Sequence, residues 1–181
     1  MKYVWITLTV LAAIVALVAL VGAFLPVAHA AARRVTLRAP RSAVFATIAG
    51  VDGYVQWHPG VKKVEWLPDA NGTKRFREVG PHGPMDLAIE RSEPDRLFVT
   101  RIVTEGSPFG GTWTFRMDER DGATTVTLTE NGEVYNVIFR CLARFVFGHT
   151  ATIEACLRAL AAKHGAADAT VEATEPDAPP R

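Results

Sequence analysis

The sequence predicts an α+β domain in which a curved seven-stranded antiparallel sheet wraps a long C-terminal helix, preceded by one N-terminal transmembrane helix. Three observations predict it. An uncharged apolar run opens the chain, a central stretch of about seventy residues keeps a period of two, and a helical period returns near the end.

Composition sets the bounds. A chain of 181 residues holds one ordinary domain plus accessories. With 49% hydrophobic and 22% charged residues it is globular, not disordered. Its 20 basic and 19 acidic residues leave a net charge of +1, with no excess to grip a phosphate backbone, so nucleic acid is not an expected partner.

From Tyr3 to Val27 no residue is charged. A helix over that run, at about 1.5 Å per residue, exceeds the roughly 30 Å hydrocarbon core of a bilayer. Tyr3 and Trp5 sit where an interfacial aromatic belt would. Ala28-His29-Ala30, just after Pro26, offers a signal-peptidase pattern, but the apolar run is too long for a signal h-region of about 7 to 15 residues. The expectation is an uncleaved single-pass anchor over 1–32, a folded domain over 33–165 and a disordered tail over 166–181. Arg33, Arg34, Arg38 and Arg41 outweigh Lys2 and tilt the domain toward the cytoplasmic side.

The stretch from Arg33 to Ala39 alternates polar and apolar as a half-buried strand does, and Pro40 closes it. Val44, Phe45 and Ile48 at helical spacing predict a short helix from Pro40 to Ala49, stopped by Gly50. A second helical turn runs from Val51 to Trp57. Six strands then follow, Val61 to Leu67, Thr73 to Val79, Met85 to Ser92, Arg96 to Thr104, Thr112 to Glu119 and Ala123 to Glu130. They are separated by turn signals such as Asn71-Gly72, Pro94-Asp95 and Asp121-Gly122, so neighbours pair antiparallel. Asn71-Gly72-Thr73 reads as a hairpin turn, not a glycosylation site.

The last helix is expected from Val134 to His164, with Ile138, Cys141, Leu142, Phe145, Phe147, Ile153, Cys156, Leu157 and Leu160 in one stripe, Gly148 kinking or dividing it and Gly165 ending it. On one continuous helix Cys141 and Cys156 stand about 22 Å apart and cannot form a disulfide. No Cys/His spacing suits a metal, and no cofactor motif is present. The remainder, Ala166 to Arg181, is rich in Ala, Pro, Asp and Glu. An antiparallel sheet must cover its apolar face, and only the final helix is long enough to do so. Such a wrap leaves room for an apolar cavity, so the expected partner is a hydrophobic small molecule.

The element order, together with Val51-Asp-Gly-Tyr-Val-Gln-Trp-His-Pro59, Gly110-Gly-Thr-Trp-Thr-Phe115 and Glu130-Asn-Gly-Glu133, resembles the START-like (SRPBCC) superfamily. More narrowly it resembles the polyketide cyclase/dehydrase and lipid-transport branch. The resemblance covers about Arg33 to Gly165. It implies the helix-grip fold of the birch-pollen allergen group and a hydrophobic-ligand pocket, used by different members for lipid carriage, polyketide cyclisation or assistance to a partner protein. The anchor departs from the soluble cyclase pattern and moves the expected ligand toward a membrane lipid or quinone.

Alternation assigns the candidate ligand-binding residues to faces. Trp113, Phe115 and Met117 should face the cavity, and so should Val126, Leu128 and Glu130. Glu130 is the candidate catalytic carboxylate, since burial would raise its pKa unless a basic neighbour pairs with it. Arg101 faces inward in one register and solvent in the other, with the solvated reading preferred. His58 stands at the expected mouth, able to hold a polar ligand end. Trp57, Trp66, Phe76, Leu87, Tyr135 and Phe145 complete the candidate lining, although the same aromatics would describe an ordinary core. His82 and His149 read as isolated surface or helix-end residues. Three functions remain open: a membrane-tethered carrier, a cyclase- or dehydratase-type enzyme using Glu130, and a protein-binding adaptor with a filled interior.

Overall fold

The computed structural model describes residues 1–81, 83–148 and 150–176. His82, His149, residues 177–181 and the side chain of Phe147 lie outside the described residues.

Helix α1 spans Lys2–Phe24 and has a mean hydropathy of 2.8 over its most apolar window. Its two threonines do not leave polar groups unmet, because the Thr7 and Thr9 hydroxyls donate to the Tyr3 and Trp5 carbonyls one turn back. Among the described residues, α1 packs on the rest of the chain through its C-terminal end, where Gly22 is buried.

Strand β1 spans Ala28–Leu37 and so begins five residues before the expected Arg33. The added residues, Ala28 to Ala32, are four alanines and one histidine, which show no alternation. Their extended form comes from pairing with β7 (Ala123–Val134), from Ala28 opposite Glu133 to Leu37 opposite Thr124. Helix α2 (Arg41–Ala49) and a 3₁₀ turn (Val51–Gln56) follow. The meander is then β2 (Lys63–Ala70), β3 (Thr73–Gly80), β4 (Gly83–Glu93), β5 (Leu97–Ile102), β6 (Phe109–Arg120) and β7.

The sheet has eight strands, in the order β2-β3-β4-β5-β6-β7-β1-β8. The eighth, β8 (Glu172–Thr174), lies in the segment expected to be disordered. It pairs antiparallel with Ala32 to Arg34 of β1, and Arg34 adds an ion pair of 2.9 Å to Glu172. Three residues are too few to carry a period, which is why composition alone suggests a free tail. At the opposite edge, β2 holds Pro68 within an irregular stretch between Leu67 and Ala70. Proline has no N–H to give a ladder, and an edge strand tolerates it.

The helix expected from Val134 to His164 starts later, at Val137, and is divided at Gly148, one of the two outcomes that glycine suggested. β7 runs through Val134, and α3 (Val137–Leu142) starts where the Asn136 side chain accepts hydrogen bonds from the backbone N–H groups of Ile138 and Phe139. A π-helical turn (Ala143–Phe147) follows and ends at Gly148, and α4 (Ala151–Lys163) begins afresh. Cys141 and Cys156 therefore lie on different helices, both as free thiols. Helix α4 packs on β1 and β7 and buries Ile153, Cys156, Leu157 and Leu160 in the main core. Helix α3 buries no residue and packs instead on α1.

Antiparallel pairing sorts the connections to two ends of the sheet. The turns at Asn71-Gly72, Pro94-Asp95 and Asp121-Gly122 lie at one end. The start of β1, the β3–β4 turn, the β5–β6 link and the end of β7 lie at the other, where α1 joins.

Candidate functional site

A cavity of about 410 Å³ opens at the α1 end of the sheet. Its walls follow from strand alternation. In β6, Trp113 and Phe115 point into it while Arg116 does not, and Met117 continues the same face into the fully buried core. In β3, Phe76 and Glu78 point in, alternating with Arg75 and Arg77 on the outer face. Leu87 stands opposite Phe76 on β4, and Thr100 and Ile102 enter from β5. Tyr54 and His58, from the 3₁₀ turn and its exit, close the side toward α2.

Burial governs the chemistry of these groups. The Tyr54 hydroxyl donates to the Ile48 carbonyl at 2.7 Å, and burial raises its pKa. The His58 ring stacks on Tyr54 with centroids 5.1 Å apart, and burial lowers its pKa to about 4, so the imidazole is neutral at pH 7. Among the described residues no basic partner is found for Glu78, and burial raises its pKa to about 7. Its carboxyl thus exchanges between neutral and charged forms near neutrality.

Glu130 lines this cavity and a second one of about 230 Å³ under α3. Its basic neighbour is His29, whose Nε2 lies 3.3 Å from Oε1. His29 stands opposite Gly132 in the β1–β7 ladder, and a side chain at 132 would collide with the imidazole. The missing Cβ lets the ring lie across the strand and reach diagonally to Glu130. The second oxygen of Glu130 is buried without a hydrogen-bond partner among the described residues.

Of the candidates read from the sequence, His58, Phe76, Leu87, Trp113, Phe115 and Glu130 line the larger cavity. Arg101 does not. It lies on the outer face, ion-paired with Glu90, because Thr100 and Ile102 take the inward register of β5. Trp57 is buried against Tyr54 in the core. Trp66 is 49% exposed and its indole N–H donates to Asp52 at 2.8 Å. Tyr135 and Phe145 are also exposed, on the α3 side of the molecule. The sequence reading missed Glu78 and Tyr54. Glu78 was recoverable, since it stands two residues beyond Phe76 on an alternating strand.

A family profile described as polyketide cyclase / dehydrase and lipid transport matches residues 28–165. The chain belongs to that family. No curated protein matches it in sequence. Among solved structures, the Zhui aromatase/cyclase from Streptomyces sp. R1128 superposes with a TM-score of 0.60 at 19% identity, over 76% of this chain and 94% of that one. A START superfamily protein from Mycobacterium smegmatis gives 0.60 at 18% identity, over 76% of this chain and 97% of that one. Norcoclaurine synthase from Thalictrum flavum gives 0.58 at 11% identity, over 76% and 86%. At these identities the likeness shows a shared helix-grip fold.

Proposed function

We propose that this family member is a membrane-tethered binding or carrier protein for a hydrophobic small molecule such as a lipid, quinone or polyketide-like compound. The observation that carries the reading is the cavity of about 410 Å³, walled by Phe76, Leu87, Trp113 and Phe115 and placed at the end of the sheet where the apolar α1 joins. Its volume falls within the range of about 300 to 1,000 Å³ usual for small-molecule sites and speaks against an adaptor with a solid interior. Supporting an uncleaved anchor, Ala28-His29-Ala30 lies inside β1, so cutting there would remove paired strand and His29 with it. A tether holds the cavity at high effective concentration beside ligand dissolved in the bilayer. The arginines after α1 favour a cytoplasmic domain, which protease accessibility in intact cells against inverted vesicles would check.

The test is mass spectrometry of organic extracts from the purified full chain. A stoichiometric apolar compound, displaced by competing lipid, is the expected result. A domain that carries nothing and takes up no lipid probe would defeat the reading.

A second reading, a cyclase- or dehydratase-type enzyme, draws on one observation. Neutral His58 and the Glu78 carboxyl, with its pKa near 7, line the same cavity, as an acid/base pair requires. The candidate Glu130 is instead engaged by His29. Loss of turnover in Glu78→Gln, on a substrate found by the extraction, would favour this reading over carriage.

A further inference from the structure

The segment made of α3 and the π turn after it combines three properties that the ligand cavity does not explain. It is apolar and exposed: Ile138, Phe139, Phe145 and Val146 all present large side chains outward, and Tyr135 and Phe109 flank them. It is fixed to α1: Gly22 packs directly against the Val137 backbone, and the Arg140 guanidinium donates to the Leu25 carbonyl at 3.0 Å. It is also a roof: Phe139 and Ala143 line the smaller cavity, which shares Ile102, Phe109, Glu130 and Thr152 with the larger one.

We infer that this segment seats in the interfacial layer of the bilayer that α1 crosses, and that ligand passes between lipid and cavity beneath it, without entering bulk water. The inference rests on the tethered-carrier reading and adds the surface and the route. The occupant follows from continuity. At about 1.5 Å per residue, the 23 residues of α1 are roughly 35 Å long, so its last turn reaches the headgroup boundary of a core roughly 30 Å thick. A segment docked on that turn lies at the same depth. Its makeup suits that depth, with aromatic and aliphatic side chains exposed beside Arg144, a cation at the level of lipid headgroups. Exposed aromatics on a soluble face would otherwise cost hydration, and burial in the acyl boundary removes that cost. At the opposite end of the sheet, Arg120, at the far end of β6 from Phe109, is 94% exposed and lies roughly 37 Å away at about 3.4 Å per residue.

The experiment uses the full chain in phosphatidylcholine/phosphatidylglycerol vesicles. Phe145→Cys, in a Cys141→Ser background, carries an environment-sensitive fluorophore, while Cys156 is buried and stays unlabelled. Arg120→Cys is the control. Brominated acyl chains should quench the label at 145 several-fold and leave that at 120 unchanged. A chain that resists carbonate extraction but shows no quenching at 145 overturns the inference and leaves the tether standing. A chain that carbonate releases removes the tether and the inference together. A second arm measures removal of anthroyloxy-stearate from the same vesicles. The Phe145→Asp/Val146→Asp variant, at two exposed side chains that line neither cavity, should slow it several-fold while binding the same probe normally in detergent. Unchanged removal would overturn the proposed route.

Discussion

Gly22 of α1 and Val137 of α3 meet backbone to backbone. A Cβ built on Gly22 would fall inside the contact radius of the Val137 carbonyl oxygen, so no other residue fits without parting the two helices. Gly22→Leu should therefore detach α3 and break the bond from Arg140 to Leu25. The expected outcome, in detergent, is faster tryptic cleavage after Arg140 or Arg144. An unchanged cleavage rate would refute the contact.

Glu78 should make ligand affinity depend on pH. A neutral apolar ligand displaces the remaining water around the carboxyl and raises its pKa further, so binding takes up a proton and weakens as pH rises beyond about 7. Titration with Nile red from pH 6 to 9 should show that decline, and Glu78→Gln should flatten it.

The same group acts on stability. Its folded pKa of about 7 exceeds the usual 4.5, so its contribution is complete below pH 4.5 and is lost as pH rises through 7. The full change is roughly 3 kcal/mol at most, at 1.36 kcal/mol per pKa unit. Urea denaturation at pH 8 should find Glu78→Gln more stable than the parent.

His58 has the opposite sign. Its folded pKa of about 4 lies below the usual 6.5, so its contribution is present above pH 6.5 and fades as pH falls toward 4. His58→Phe keeps an aromatic ring against Tyr54 and should flatten the acid limb of the stability profile. A variant that stays as acid-sensitive as the parent would assign that limb to other groups.

Phe76 is fully buried, with Trp66 and Tyr54 rings at centroid distances of 6.0 and 6.1 Å. Phe76→Ala should cost about 3 to 5 kcal/mol in denaturant unfolding, from lost burial and the void left behind. A loss below about 1 kcal/mol would mean that the cavity collapses to fill the gap.

The fold was legible where side chains alternate over long spans. Strands β3 to β7 follow period-two patterns bounded by turn residues, and the apolar stripe of α4 marks its buried face. Two features escaped for physical reasons. Ala28 to Ala32 become strand only because β7 is there to pair with them. Glu172 to Thr174 add to an edge through three residues with no pattern of their own. The division at Gly148 was legible, whereas the π turn before it, Ala-Arg-Phe-Val-Phe, still reads as ordinary helix. At the site, alternation put Trp113, Phe115 and Glu130 on the face that lines the cavity. It could not choose the register of Arg101, since both faces of β5 are apolar enough to be inner. Nor could it pair Glu130 with His29, which lies 101 positions away in the chain.

Only Leu25 to Val27 separate α1 from β1. Where α1 crosses a bilayer, a leash of roughly 10 Å follows, at about 3.4 Å per extended residue. Such a protein has no slack to ferry cargo to a distant membrane. It would work as a fixed station, and whatever accepts its cargo must come to it by diffusing in the same sheet of lipid.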